Sequence, residues 1–508
     1  MTSHPPAATR TEKLITFAAF TALFFIYVAF PTRNYYYDGI FFARVIENSN
    51  RLSSSLIHPN HLIYTVFGYL VYRLSRSLGL VFRAVQVLTV VNSLGSVLSA
   101  YVLFKIMKLR FSSYVAWCLT FLFAFSATWW KFSTDADAYI ISTLFILLSF
   151  YLVLSPKTSH LPLLILTFCL AVLFHQLAVL FYPVIILGLL WNVDVRRIRY
   201  ALEFALGAFL IVLGAYYLLF YLAAGTTDPR RFVTWISSYS PDASFSFNIL
   251  SNLGYTLRGH GRLLLGGRVS ALKDVMNFWV VAMIIVWAGL IGALLLKVIQ
   301  SIRARHERSR VPMKERFRLD PVTKLCIVWV VIYEGFLFFW LPQNTFYRLF
   351  YLPAIVLLIG WIVSRIGEGE SENWYRLAMF VAISAIANFL FSIYPFAHIQ
   401  KNPPLALALE MNHVWPSGTV VYYASENTDN NLFQYFNPDT NWKLLDTRQL
   451  ESDLVPMSRN GTSVWLDSSA IDQIASTPGG AEWLARHIGA RRELIDRSYR
   501  IRFIQIVP

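Results

Sequence analysis

Eleven mostly apolar stretches, each near the roughly 20 residues that a helix needs to cross a bilayer, leave this chain few folds to adopt. They run 14–30, 84–104, 111–130, 138–155, a pair within 161–191, 201–223, 275–297, 325–341, 346–364 and 377–396. Composition agrees: 56% of residues are hydrophobic and 14% are charged, against about 25% charged in soluble domains. The chain reads as a polytopic membrane protein. Its net charge of +15 does not point to nucleic acid, because most of the charges lie between apolar runs. There they act as topology signals and contacts to lipid phosphate. Cys118, Cys169 and Cys326 all fall inside apolar stretches, so no loop disulfide joins them. Arg10 and Lys13 precede the first run, which lacks a small-residue cleavage site and reads as an uncleaved span.

Charge placement orients the spans. The segment 60–78 is apolar but carries Arg73 and Arg76, which suits a helix lying along the interface. The run 161–191 is too long for one untilted span. Lys157 precedes it and Arg196, Arg197 and Arg199 follow it, which implies a hairpin with its turn near Phe174–Gln176. Lys297–Lys324 holds nine Lys or Arg against three acidic residues and is expected to be cytoplasmic. Parity then places the N-terminus inside. It puts 31–83, 131–137, 224–274, 342–345 and 397–508 on the extracytoplasmic face of a cell (inner) membrane.

The tail, 398–508, has another texture. "GTVVYYAS" and "TSVWLDSS" read as strands, "DNNLFQYF" and "GGAEWLARHIG" as helices, and "YRIRFIQIV" as a last strand. Such alternation implies a small α/β domain. The expected architecture is a helical membrane domain over 1–397 followed by an extracytoplasmic α/β domain over 398–508. The tail has no glycine-rich phosphate loop, nucleophile elbow or metal-ligand cluster. Asn460-Gly461-Thr462 matches a glycosylation sequon by pattern alone.

Unusual polar groups collect in the outside loops. Asp38, in "RNYYYDGIFFARVIEN", suits either a helix cap or a general base held at the membrane face. The adjacent tyrosines are ordinary interface residues. Asp135 and Asp137, in "STDADAYI", fit a cap or solvated turn, or a pair that orients an acceptor or a cation. In "LRGHGRLLLGGR", Arg258, His260, Arg262 and Arg268 alternate with glycines that let backbone approach a ligand. Arginine forks match phosphate geometry, and Arg348 in "PQNTFYR" is a further candidate. A mobile surface loop or an anionic-lipid contact is the competing reading of this stretch. His58 and His61 stand one helical turn apart with no third ligand evident, which argues against a metal. His175, at the apex of an apolar hairpin, is either a functional group or a satisfied buried histidine.

This layout resembles the GT-C superfamily of membrane glycosyltransferases, especially bacterial protein O-mannosyltransferase and lipid A aminoarabinose transferase relatives. The resemblance rests on Asp38 after the first span, "HPNHLIYTVFGYLVYRL", "DADAYIISTLFILLSFYLVL", "FHQLAVLFYPVIILGLLW" and "FFWLPQNTFYRLFYLPAIVLL", and covers most of 1–395. It implies transfer of a sugar from a polyprenyl-phosphate carrier to a lipid, glycan or protein acceptor at the membrane. It also implies Asp38 as catalytic base and Asp135 or Asp137 as the second-loop acid. The basic residues would hold donor phosphate, with His58, His61 and His175 near substrate. Many O-mannosyltransferases carry an Asp-Glu pair where this chain has Asp38-Gly39. No resident cofactor is implied, although a divalent cation is compatible. Two rival readings are a flippase for lipid-linked saccharides and a non-catalytic scaffold. Transporters place ionisable residues mid-span, and here the spans are nearly free of them apart from Glu203 and Glu334.

Overall fold

The computed structural model describes residues 9–154, 160–191, 197–237, 245–304, 319–366, 370–425, 428–496 and 501–507. Lys157, Arg196 and residues 305–318 of the basic segment 297–324 lie outside the described residues. The chain forms two units, one of residues 1–32 with 45–395, the other of 33–44 with 396–508.

The first unit is helical. Its elements are α1 (Arg10–Ala29), the last four residues of α2 (Tyr37–Asn48), α3 (Tyr64–Ser77), α4 (Ala84–Lys108), α5 (Ser113–Ala124), α6 (Ala127–Ser133), α7 (Tyr139–Leu154) and α8 (Leu161–Phe174). Then follow α9 (Tyr182–Trp191), α10 (Arg197–Ala224), α11 (Pro229–Ser237), α12 (Ile249–Leu264), α13 (Phe278–Ala304), α14 (Pro321–Phe339), α15 (Leu352–Ile366) and α16 (Glu370–Asn388). Six helices are long and apolar enough to cross a membrane: Arg10–Ala29, Ala84–Lys108, Ile198–Ala224, Phe278–Lys297, Pro321–Phe339 and Tyr375–Phe396. Counting α5 and α6 as one span bent by 66° makes seven. Tyr139–Leu154, Leu161–Phe174, Gln176–Trp191 and Leu352–Arg365 are shorter apolar helices. Each of the apolar stretches read from sequence thus falls on a helix, and four of those helices are short for a full crossing.

Local chemistry explains the breaks. The run 161–191 interrupts at His175, whose backbone is extended at φ −155°, ψ 121°. Its Nδ1 accepts from the Leu177 N–H at 3.1 Å and starts a 3-10 turn, Gln176–Phe181. α3 buries Tyr64, Thr65, Gly68 and Tyr69 while Leu70 and Leu74 stay exposed, so it has the two faces of a helix on a bilayer surface. α4 is the central packing element. It buries Asn92, Ser93, Gly95, Ser96 and Ser99, small side chains that let neighbouring helices approach closely. A Cβ on Gly95 would lie 2.5 Å from Ile141 of α7. Glu47 receives Arg83 at 2.9 Å and the Ala84 N–H at 2.6 Å, which caps α4 with a carboxylate. At the other end of the bundle Asp320 caps α14 and pairs with Arg110 at 2.6 Å. Burial opposes ionisation of Asp320, but Arg110 and Thr323 outweigh it and hold its pKa down at about 2.

The second unit carries a five-stranded sheet in the order β2-β1-β3-β5-β4. The strands are β1 (Val420–Tyr423), β2 (Asn441–Leu444), β3 (Val464–Asp467), β4 (Ile488–Asp496) and β5 (Ile501–Ile506). β1 pairs parallel with β2 and β3, and β5 pairs antiparallel with β3 and β4. Val420, Tyr422, Val464, Leu466, Ile474, Trp483 and Ile504 pack in its core. The strands and helices expected in "GTVVYYAS", "DNNLFQYF", "TSVWLDSS", "GGAEWLARHIG" and "YRIRFIQIV" are all present, so a helical membrane bundle with a small α/β region is the architecture observed.

Candidate functional site

Four groups of the expected residues are found, in different settings. The first group is cationic. Asn248 caps α12 by accepting the Ser251 N–H at 3.1 Å. The buried side of α12 carries Asn252, Thr256, Gly259 and Leu263. Arg258 and Arg262, four residues apart, are exposed on another face. Arg268 follows after Gly266 and Gly267. Arg262 is held below the usual arginine range by desolvation and by the nearby Arg258 and Arg268 charges. None of these three arginines makes an ion pair among the described residues. Like charges gathered without carboxylates cost free energy, which a bound anion would repay.

The turn that delivers Arg268 is tied down. α16 runs into a π-helical turn, Phe389–Ile393, and such a turn takes carbonyls out of the regular ladder. One of them, Phe391 O, accepts the Arg268 N–H at 3.0 Å. Gly267 sits at φ +90°, and a Cβ there would fall 2.0 Å from that oxygen. Asn388 is fully buried. Its Oδ1 accepts the Gly266 N–H at 3.0 Å, and its Nδ2 donates to the Phe125 and Leu264 carbonyls at 2.8 Å each. Thr128 of α6 donates to the Arg262 carbonyl at 3.0 Å.

Arg348 and His260 belong to a second group. Arg348 is wholly buried. It donates to Glu334 at 3.3 Å, to the Asn344 carbonyl at 2.7 Å and to Thr256 Oγ1 at 3.4 Å. Tyr351 donates to Glu334, and its oxygen lies 3.3 Å from His260 Nε2. His260 Nδ1 donates to the Thr256 carbonyl at 3.0 Å. A Cβ on Gly259 would lie 2.8 Å from Arg348 Cζ. This glycine therefore admits an internal guanidinium, whereas the sequence suggested room for a ligand.

The histidines form a third group. His61 stacks on His58 at 5.8 Å between ring centroids and meets His175 edge-on at 4.6 Å. Tyr139 and Phe350 lie 5.1 and 4.8 Å from His175. His58, like His175, caps a 3-10 turn, its Nδ1 accepting the Asn60 N–H at 3.3 Å. With Nδ1 as acceptor, each neutral ring carries its proton on Nε2. Burial lowers the His58 pKa to about 4 and holds that of His61 well below the usual value. Among the described residues no group of three or more His, Cys, Asp or Glu could hold a metal ion.

The carboxylates occupy separate places. Asp135 and Asp137 are fully buried. Each Oδ1 accepts the next residue's N–H, at 2.8 and 2.6 Å. Asn92 of α4 donates to both of their carbonyls, and Tyr64 to that of Ala136. Asp38 lies in the second unit. It is half-buried in the first turn of α2, which begins at Tyr37. It is thus the second helical residue, where the helix macrodipole favours an anion. Sequence reasoning missed Glu334 as a partner, and it missed Tyr351, Thr256 and Asn388. The one available signal was an amide or carboxylate inside an apolar run.

The apolar part of the first unit contains a cavity of about 300 Å³ between α8, the 3-10 turn after His175, α10 and α11. Phe168, Val172, Val179, Phe209, Leu213 and Phe232 line it, with Gln176 as a polar member.

No family model matches the sequence, and no curated protein matches it. Solved structures do. ArnT from Cupriavidus metallidurans in the apo state aligns with TM-score 0.60 and 12% identity over 97% of each chain. The same protein bound to undecaprenyl phosphate aligns with TM-score 0.60 and 11% identity over 98% of each chain. The chain has the fold of ArnT.

Proposed function

We propose that the protein is an integral membrane glycosyltransferase that moves a sugar from a polyprenyl-phosphate carrier to an acceptor hydroxyl on the extracytoplasmic side. The observation that carries this reading is the cluster Arg258, Arg262 and Arg268, without an ion pair among the described residues, on an ArnT-like bundle. Support comes from the neighbouring ArnT structure, which holds undecaprenyl phosphate.

The chemistry is a single displacement. The acceptor oxygen attacks the anomeric carbon, and the bond from that carbon to the phosphate oxygen breaks. The bonding electrons stay on the departing phosphate, whose added charge the three guanidinium groups stabilise. Asp38 takes the proton from the acceptor hydroxyl. Asp135 and Asp137 hold the turn before α7 through their own backbone. The apolar cavity beside α10 takes part of the prenyl chain. The acceptor is a lipid, glycan or protein hydroxyl. His58, His61 and His175 are read as packing rather than substrate contacts.

The test is release of polyprenyl phosphate from labelled lipid-linked sugars in membranes carrying wild type or Asp38→Asn. Loss of a proton acceptor lowers turnover by about 10²- to 10⁴-fold. Equal release by both proteins would remove Asp38 from the mechanism. Transport of the donor without release would replace the enzyme reading by a flippase.

A further inference from the structure

We propose that Glu334 is a positioning residue for the arginine cluster, acting on α12 through Arg348, Tyr351 and His260. The inference rests on the phosphate role assigned above to Arg258, Arg262 and Arg268.

α12 is not held to the bundle mainly by apolar burial. Of its buried positions, Asn252, Thr256 and Gly259 are polar or lack a side chain, and only Leu263 is a large hydrophobe. Two routes from Glu334 reach this face instead. In the first, Oε1 accepts from Arg348 Nη2, and the Arg348 guanidinium lies directly beneath Gly259 and donates to Thr256 Oγ1. In the second, Oε2 accepts from Tyr351, whose oxygen meets His260 Nε2 at 3.3 Å, and Oε2 itself lies 3.5 Å from that nitrogen.

Helical geometry links these routes to the arginines. Residues advance about 100° each around a helix, so positions two apart point roughly opposite ways. His260 is turned inward by Glu334, Tyr351 and the Thr256 carbonyl. Arg258 and Arg262, two residues before and after it, are therefore both turned outward. Freeing His260 and the Arg348 platform lets α12 roll, and a roll moves both guanidinium groups at once. Glu334 touches neither arginine. It sets the direction in which they face, and it neutralises a guanidinium that has no other carboxylate among the described contacts.

The experiment uses the full chain in phosphatidylcholine nanodiscs and measures binding of undecaprenyl phosphate. The variants are Glu334→Gln, Tyr351→Phe and the double substitution Arg258→Gln/Arg262→Gln, alone and combined. Glu334→Gln is expected to weaken binding about tenfold and Tyr351→Phe about threefold. In the Arg258→Gln/Arg262→Gln background neither causes further loss, because the two side chains that α12 aims are gone. A merely structural role predicts the same further loss in both backgrounds, and that additive result would overturn the proposal. Wild-type affinity in both Glu334→Gln and Tyr351→Phe would overturn it too. If Glu334→Gln does not fold, Tyr351→Phe, which removes a single hydroxyl, decides by the same comparison. Wild-type binding by the double arginine variant would sink the phosphate site itself, and this inference with it. Loss in that variant together with full binding by the other two refutes the positioning role alone.

Discussion

The histidine cluster and the arginine cluster are treated in opposite ways by the same bundle. His61 and His175 are buried among each other and the rings of Tyr139 and Phe350. Their neighbour His58 is half-buried. Arg258, Arg262 and Arg268 are exposed and close enough to one another to repel. A buried imidazole avoids the cost of a charge by staying neutral, and an arginine has no such option. Neutral rings in a tight aromatic setting therefore read as architecture. Permanent like charges without carboxylates among the described residues are costly to the free protein, and the proposed function gives them a phosphate to bind. Residue type marked both groups as candidates, and only their surroundings separate them.

Four experiments break or sharpen that contrast. Replacing Arg258, Arg262 and Arg268 together by Gln should lower kcat/KM for the lipid-phosphate donor about 10³-fold. Melting in detergent should be unchanged or slightly raised, because mutual repulsion is relieved. A drop in melting without a kinetic effect would make the arginines structural. His175→Ala should do the reverse. It opens a cavity beside Tyr139 and Phe350, lowering stability by about 2–4 kcal/mol, while turnover per folded molecule stays near wild type. Turnover lost at wild-type melting would return the histidines to the substrate.

Gly267→Ala is next in size. Its φ of +90° and the Phe391 carbonyl 2.0 Å from the new Cβ force the turn to move, at about 1–3 kcal/mol. Donor KM should rise, since Arg268 is the next residue. The smallest effect is on pH. The His58 pKa is lowered to about 4 by burial, from about 6.5 in an unfolded chain. A lowered folded value means that the unfolded chain binds the proton first. The stability from neutral His58 is complete above about pH 6.5 and is lost as pH falls towards 4. Melting curves across that window should steepen for wild type relative to His58→Gln, whose side chain does not titrate.

Much of this was legible in the sequence, for reasons that differ by segment. The apolar stretches declare themselves because each is continuous and nearly free of charge. The break at His175 was readable from flanking charge. In the tail, β1, β3 and β5 carry alternating or continuous apolar residues. By contrast β2, "NWKL", is a mostly exposed edge with little pattern to read. At the site, the sequence marked Arg258, Arg262 and Arg268 as candidates but placed them in a glycine-rich loop, whereas Arg258 and Arg262 lie on the helix α12. The reason for Gly259 was hidden, because its neighbour Arg348 is distant in sequence and comes close only through folding. Asn388 was overlooked inside an apolar run although its side chain makes three hydrogen bonds.

Asn388 also sets how the cluster moves. One amide clasps the Gly266 nitrogen and the Leu264 and Phe125 carbonyls. The end of α12 and the elbow between α5 and α6 therefore cannot loosen one at a time. Opening is therefore expected to be a single cooperative event, and hydrogen exchange at the Gly266 amide should report its frequency. The arginines would then behave as a latch with two settings, and the time a lipid phosphate stays bound would follow the lifetime of one asparagine's grip.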